Sequence, residues 1–220
     1  MQSSIIGTLI EGLWITLAVT ALGSVGATVA SVIAGLARIS LASWVRWAAA
    51  LYVAVFRGTS ALVQLFWVYF ALPLIGVRVD AMSAGVIVLA LNTGAYGAEL
   101  VRGAIQAVPE GQWRAARAIG LSRSQALRHV IGPQALPRFL PPYGNLLIEL
   151  CKNSALVSLV TLSDLTFQAN TVLRVQQPGR TAEIFAWTLL LYFGIAQLIR
   201  GVIWFAGRRT RAALGAGGAR

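Results

Sequence analysis

Five apolar stretches, each long enough to cross a bilayer, constrain this chain more than any other feature. A membrane-spanning helix needs about 20 apolar residues, and in lipid every backbone polar group must be satisfied within the protein. The first stretch runs from about Gly12 to Leu36 and the third from about Met82 to Ala104. The fourth runs from about Leu140 to Leu162, after Pro141-Pro142, and the fifth from about Glu183 to Phe205. The second ends near Leu72 but starts awkwardly. There, Trp44 to Phe56 reads as a partly amphipathic helix that Arg57-Gly58-Thr59 interrupts. Because 57% of the 220 residues are hydrophobic and 11% charged, a water-soluble fold would lack polar surface. The expectation is an all-α integral membrane protein with about five transmembrane helices in one domain, residues 1–207. Small residues such as Gly23, Ser24, Gly26 and Ala27 allow its helices to approach closely.

The arginines orient the spans. With the N-terminus outside, the cytoplasmic segments hold Arg38 and Arg46, then Arg102, Arg114, Arg117, Arg123, Arg128 and Arg138, then Arg200, Arg208, Arg209, Arg211 and Arg220. The outer loops hold only Arg78, Arg174 and Arg180, beside Asp80, Asp164 and Glu183. This asymmetry follows the positive-inside rule and gives N-out, C-in. The net charge of +11 is thereby read as topology-setting charge against lipid, with no nucleic acid partner. Residues 208–220 read as a basic, disordered cytoplasmic tail. The N-terminal stretch lacks a basic leader and reads as a retained span. A single cysteine, Cys151, excludes an intrachain disulfide, and a single histidine, His129, argues against a metal site. No cofactor is expected.

Between the third and fourth spans lies VPEGQWRAARAIGLSRSQALRHVIGPQALPRFL, residues 108 to 140. It is too polar to enter the bilayer and too helical to be a mere linker. Pro109 suits the first turn of a helix, and Glu110 complements its positive end. That helix reaches about Ile119, and Gly120 supplies its C-terminal cap. Ser122 and Gln125 form a capping box that starts a second helix to about Val130. Pro133 and Pro137 prevent simple continuation. Trp113 reads as an exposed aromatic among arginines. Such a residue anchors a protein interface or, equally, dips into lipid from a helix lying at the headgroups.

Polar residues inside the spans fall into stripes. Asn92, Tyr96, Glu99 and Gly103 share one face of the third span, and Glu99 is within reach of Arg102 or a neighbouring arginine. Asn145, Glu149 and Lys152 share a face of the fourth, with Glu149 and Lys152 close enough to pair. Gln64 lies in the second span, and Ser154 follows Lys152. Two readings stay open for these residues. They line a polar translocation path, or they hold helices together through internal hydrogen bonds and ion pairs.

Arg114-Ala115-Ala116, Gly120, Val130 and Pro133 resemble, at the right spacing, the E-A-A loop of ABC-importer permeases. Arg114, Val130 and Gly132 depart from its Glu, Ile and Leu. Phe56-Arg57-Gly58-Thr59, Val63-Gln64-Leu65-Phe66 and Tyr69-Phe70 resemble the polar amino acid uptake permeases, the histidine/glutamine/arginine group, with Ser60 where proline is usual. Gly94-Ala95-Tyr96, Glu99, Arg102-Gly103-Ala104-Ile105, Val108-Pro109 and Lys152-Asn153-Ser154-Ala155-Leu156-Val157-Ser158 match the same group, which covers roughly residues 5 to 205. Within it, the run from Glu149 through Leu165-Thr166-Phe167 looks most like permeases for ectoine and hydroxyectoine. The resemblance implies a type I importer (MetI-like) permease fold in a bacterial inner membrane. It implies that residues 109–133, with Glu110, Trp113, Arg114, Ala115, Ala116, Gly120 and Pro133, form a coupling loop docking an ATPase. The implied partners are two copies of that ATPase, a second permease subunit (identical or sister), and an external solute-binding protein. The chain has no G-x-x-x-x-G-K-[ST] motif and its only lysine is Lys152, so it reads as a non-catalytic subunit. The alternative is an ion-driven carrier or channel for small zwitterions, which would show inverted repeats with broken helices; none is evident in the sequence.

Overall fold

The computed structural model describes residues 2–217, and the side chains of residues 5–210. All regular structure there is helical. Helix α1 is Gln2–Ala37, α2 is Ser43–Gly58, α3 is Ala61–Phe66 and α4 is Ala81–Gln106. Helices α5 (Glu110–Ala118) and α6 (Arg123–Ala126) form the loop before α7 (Gly132–Asn153). Short α8 (Leu165–Phe167) and α9 (Arg174–Gln176) precede the long α10 (Thr181–Gly217). Three segments are long and apolar enough by themselves to cross a membrane: Ile5–Ala37, Ala81–Gln106 and Pro178–Thr210. Two bent pairs complete up to five spans. Ser43–Gly58 and Ala61–Ile75 meet at 101°, and Arg123–Val160 and Leu165–Gln176 at 60°.

The first bend explains the awkward start of the second span. Arg57-Gly58-Thr59 does break the helix, and Thr59 is extended, with φ −125° and ψ 152°. The break frees carbonyls at the end of α2, which need partners at membrane depth. Side chains supply them. Gln64 Nε2 donates to the carbonyls of Phe56 (3.1 Å) and Thr59 (3.3 Å) and to Thr59 Oγ1 (2.7 Å). Asn92 Nδ2 donates to the same Phe56 carbonyl at 2.9 Å.

Helix α1 packs along α4 through small side chains, with Ala27, Ala95 and Ala98 fully buried. The main core joins Val19, Leu65, Val88, Leu89, Leu150 and Val157 from four spans. A second cluster, Ile5, Leu9, Leu165, Leu173 and Ile184, closes the far end. Asp80 caps α4 by accepting the Ser83 N–H at 3.0 Å. Helix α10 leans on α7 and leaves Leu189, Leu198 and Val202 about two-thirds exposed, the surface a span offers to lipid or another subunit.

Two boundaries differ from the sequence reading. Pro133 and Pro137 do not end the helix that begins at Arg123. The turn Leu127–Ile131 widens into a π-helix, and α7 then runs on with Pro137, Pro141 and Pro142 inside it. The fourth span therefore continues the loop helix and does not start anew at Leu140. At the other end, α10 continues to Gly217, past residue 208 where the tail was set. Arg208 lies 4.7 Å from the Trp204 ring centroid and Arg209 4.4 Å from that of Phe205, stacking the arginines back on the helix. Residues 218–220 of that tail lie outside the described residues.

Candidate docking loop and polar helix faces

The loop is built by its caps. Pro109 stands one position before the first helical residue, as the N-cap of α5, and Glu110 begins the helix. Gly120 has φ +81°, which a side chain would strain. Around it the Leu121 N–H donates to the Ala116 carbonyl at 3.1 Å and the Gly120 N–H to that of Arg117 at 3.0 Å, a Schellman closure. The Ser122–Gln125 capping box is present in both directions. The Gln125 N–H donates to Ser122 Oγ at 3.3 Å, and the Ser122 N–H to Gln125 Oε1 at 2.8 Å.

Arg114 ion-pairs with Glu110 one turn back at 3.0 Å, both side chains about 70% exposed. The residue that departs from the family pattern thus has a partner within its own helix. Ala115 is exposed and Ala116 buried, so the Ala-Ala pair straddles the surface. Gly132 also departs from the pattern, and the widened turn gives a reason. Its N–H donates to the Leu127 carbonyl five residues back, and a Cβ there would lie 2.8 Å from that oxygen. Pro133, which has no N–H to offer, follows directly.

Trp113 corrects an expectation. It is not a free aromatic on the surface. It is half-buried against Val101, Ala104, Ile105, Val108, Ile131 and Ala135, and Arg123 lies over its ring. The exposed apolar residue is Ile119, at 76% exposure beside Gly120. Sequence reasoning used Ile119 only as a helix end. The signal was an apolar residue next to a capping glycine, at the tip of an otherwise charged loop. Further ties fix the loop to the spans: Gln134 Nε2 donates to Gln112 Oε1 at 3.2 Å, and Arg138 to the Ala107 carbonyl.

The polar residues separate into two sets. Asn92 is buried and also donates to Gln64 Oε1 at 3.2 Å, so these two brace the α2–α3 bend. Glu99 binds Arg38, in the turn just past α1, at 3.1 Å and Arg102, one turn along α4, at 2.6 Å. Tyr96, 39% exposed, lies under the Arg57 guanidinium, 5.1 Å from its ring centroid. On α7, Asn145, Glu149 and Lys152 are all exposed. The expected Glu149–Lys152 ion pair does not form: among the described residues, neither has an opposite charge within 4.0 Å. Both side chains are exposed, where an ion pair is worth at most about 1 kcal/mol, so nothing compels the two charges to meet. Asn145 and Lys152 border two adjoining clefts of about 260 and 530 Å³ between α7 and α10, where Ile148 and Arg200 are shared. Ser154 is not on this face. It is fully buried, and its hydroxyl donates to the Cys151 carbonyl at 2.7 Å. Among the described residues no cluster of three His, Cys, Asp or Glu side chains could hold a metal ion.

Residues 26–199 match the family described as binding-protein-dependent transport system inner membrane component. A probable amino-acid ABC transporter permease protein, y4tF, of Sinorhizobium fredii is 44% identical over 200 residues, 88% of this chain and 83% of the relative. The glutamine transport system permease protein GlnP of Escherichia coli is 35% identical over 206 residues, 92% of this chain and 93% of the relative. A chain in a crystal structure of an amino acid ABC transporter with histidines is superimposable with a TM-score of 0.84 at 35% identity, covering 94% of this chain and 96% of that one. These likenesses set aside an ion-driven carrier, and the family's dependence on a binding protein and an ATPase gives the chain both kinds of partner. The chain belongs to the family of binding-protein-dependent inner-membrane components, as a multi-pass, non-catalytic ABC importer permease of the polar amino acid group.

Proposed function

We propose that this permease pairs with a second permease subunit to form the path of an importer for polar amino acids or their derivatives, with ectoine and hydroxyectoine as the favoured cargo. The amino-acid and glutamine transporters among its relatives support the broader cargo class. The resemblance of Glu149 through Phe167 to ectoine permeases supports the narrower one. The Asn145–Glu149–Lys152 face lines the path. A charge facing lipid costs about 2.5–3.5 kcal/mol on insertion scales, so two exposed charges at membrane depth call for water or another subunit beside them. The arginine distribution supports N-out, C-in, which puts the loop in the cytoplasm.

Two ATPase copies dock on the loops of the two permeases. One observation carries this reading: a loop that is capped, braced and closed from within still leaves Ile119 bare at its tip. Glu110, Arg114 and Ala115 flank the docking face, while Trp113, Ala116, Gly120 and Pro133 hold its shape. The test is co-purification of the ATPase through mild detergent. Ile119→Asp sets a charge against an apolar socket and weakens retention roughly a hundredfold, in the range of an interface hot spot. Full retention with normal solute-stimulated hydrolysis would overturn the docking role. Cargo is decided separately, by the affinity of the cognate binding protein for ectoine against glutamine and arginine.

A further inference from the structure

We propose that Arg123 is a positioning residue that fastens the docking loop to the cytoplasmic end of α1, so that movement of the loop is carried into the first span. The inference rests on the docking reading of the loop. Arg123 opens α6, and the capping box fixes the backbone just before it. Its Nη2 donates to the Ile39 carbonyl at 2.9 Å, reaching 84 residues back along the chain. Ile39 lies in the turn that ends α1, where carbonyls lack helical partners and a cation is favoured. The same guanidinium lies 5.8 Å from the ring centroid of Trp113, which is seated on α4 and α7 residues. One side chain therefore touches α5 and the end of α1 from its place on α6.

Among the described residues this is the only hydrogen bond between the loop and the turn that ends α1. Packing there is incomplete: a cavity of about 310 Å³ opens between Arg38, Ile39, Ile105, Gln106, Trp113 and Arg123. The junction thus depends on a directed contact more than on a filled interface. On the α1 side the tie is continued at once. Arg38, next to Ile39, binds Glu99; Glu99 binds Arg102, whose Nη1 donates to Gln106 Oε1 at 2.8 Å. Loop, α1 and α4 form one braced unit, with Arg123 as the link to the loop. A lysine would keep the charge but could not both lie flat over an indole and aim a fork at a carbonyl.

The test uses the assembled importer in nanodiscs, with Cys151→Ala and spin labels on cysteines at Ser40 and Arg128. In the unsubstituted background the label separation stays narrow and equal with and without ATP. Arg123→Gln broadens it by several ångström in the ATP-bound state. In the same variant the ATP consumed per solute imported rises about fivefold, within the range expected for a residue that carries coupling. The KM for ATP and retention of the ATPase stay unchanged, and Arg123→Lys recovers part of the coupling. A wild-type separation and stoichiometry in Arg123→Gln would overturn the proposal, as would lost coupling with an unchanged separation. Failure of the docking reading is recognised independently: the ATPase would then remain bound to Ile119→Asp, whatever the labels report.

Discussion

Asn92, Tyr96 and Glu99 on α4 and Asn145, Glu149 and Lys152 on α7 repeat one spacing, four residues and then three, and meet opposite surroundings. On α4, Asn92 and Glu99 are bound up within the chain. Asn92 braces a broken helix through the Phe56 carbonyl and Gln64, and Glu99 ties α4 to the turn after α1 through Arg38 while pairing with Arg102 on its own helix. On α7 the three side chains are exposed, and Glu99's counterpart, Lys152, has no carboxylate within 4.0 Å among the described residues. On the function proposed above, the two readings of a polar stripe, internal brace and path, are divided between two helices. Periodicity shows that residues share a face; the neighbours of that face decide what they do.

The division breaks most visibly at Glu99. Glu99→Leu leaves Arg38 and Arg102 without their shared carboxylate at the helix ends. Removing one partner of a buried pair costs on the order of 3 kcal/mol, somewhat less here because the arginines keep some access to water. The expected outcome is a several-fold loss of folded chain in detergent and a lower thermal midpoint, read by fluorescence-detected size exclusion. Normal yield with abolished uptake would move Glu99 into the path and undo the contrast.

The reverse behaviour is expected on α7. Glu149→Gln and Lys152→Met remove charges that support nothing inside the chain, so folded yield and ATPase retention stay at wild-type levels. Uptake falls roughly tenfold in each, the loss of about 1.4 kcal/mol of interaction with a charged solute. Uptake assays in proteoliposomes give the answer. Unchanged uptake in both variants would strip this face of its path role, and a fall in folded yield would make it a brace like α4.

The same contrast explains which parts were legible in the sequence. Local chemistry was. Gly120, Ser122 and Gln125 specify caps through their own backbone needs, and the structure holds each of them. The interruption at Arg57-Gly58-Thr59 was equally local, although its 101° bend and its repair by Gln64 and Asn92 depend on packing between elements. Pro133 misled because a proline is tolerated in the first turn of a helix, and after the widened turn at Leu127–Ile131 it stands in the first turn of α7. Trp113 misled because amphipathic spacing on a short helix does not say which side the rest of the protein covers. Glu149 and Lys152, three residues apart, could have paired, and spacing alone does not say whether an exposed pair forms.

Tyr96 tests the boundary between the two sets, with the smallest expected effect. It belongs to the α4 stripe, yet it is 39% exposed, and its observed partner is the Arg57 guanidinium over its face. If it acts as a brace, its use lies in the ring. Tyr96→Phe then keeps the stacked arginine and leaves stability and uptake unchanged. Tyr96→Leu loses a cation–π contact of about 0.5–1 kcal/mol, seen as a small drop in thermal midpoint. If it acts in the path, its use lies in the hydroxyl, and Tyr96→Phe lowers uptake while the thermal midpoint holds. The brace outcome is the one expected, because Arg57 stands beside the Phe56 carbonyl that Gln64 and Asn92 already secure. Holding that arginine over Tyr96 extends the same repair of the broken helix by one residue.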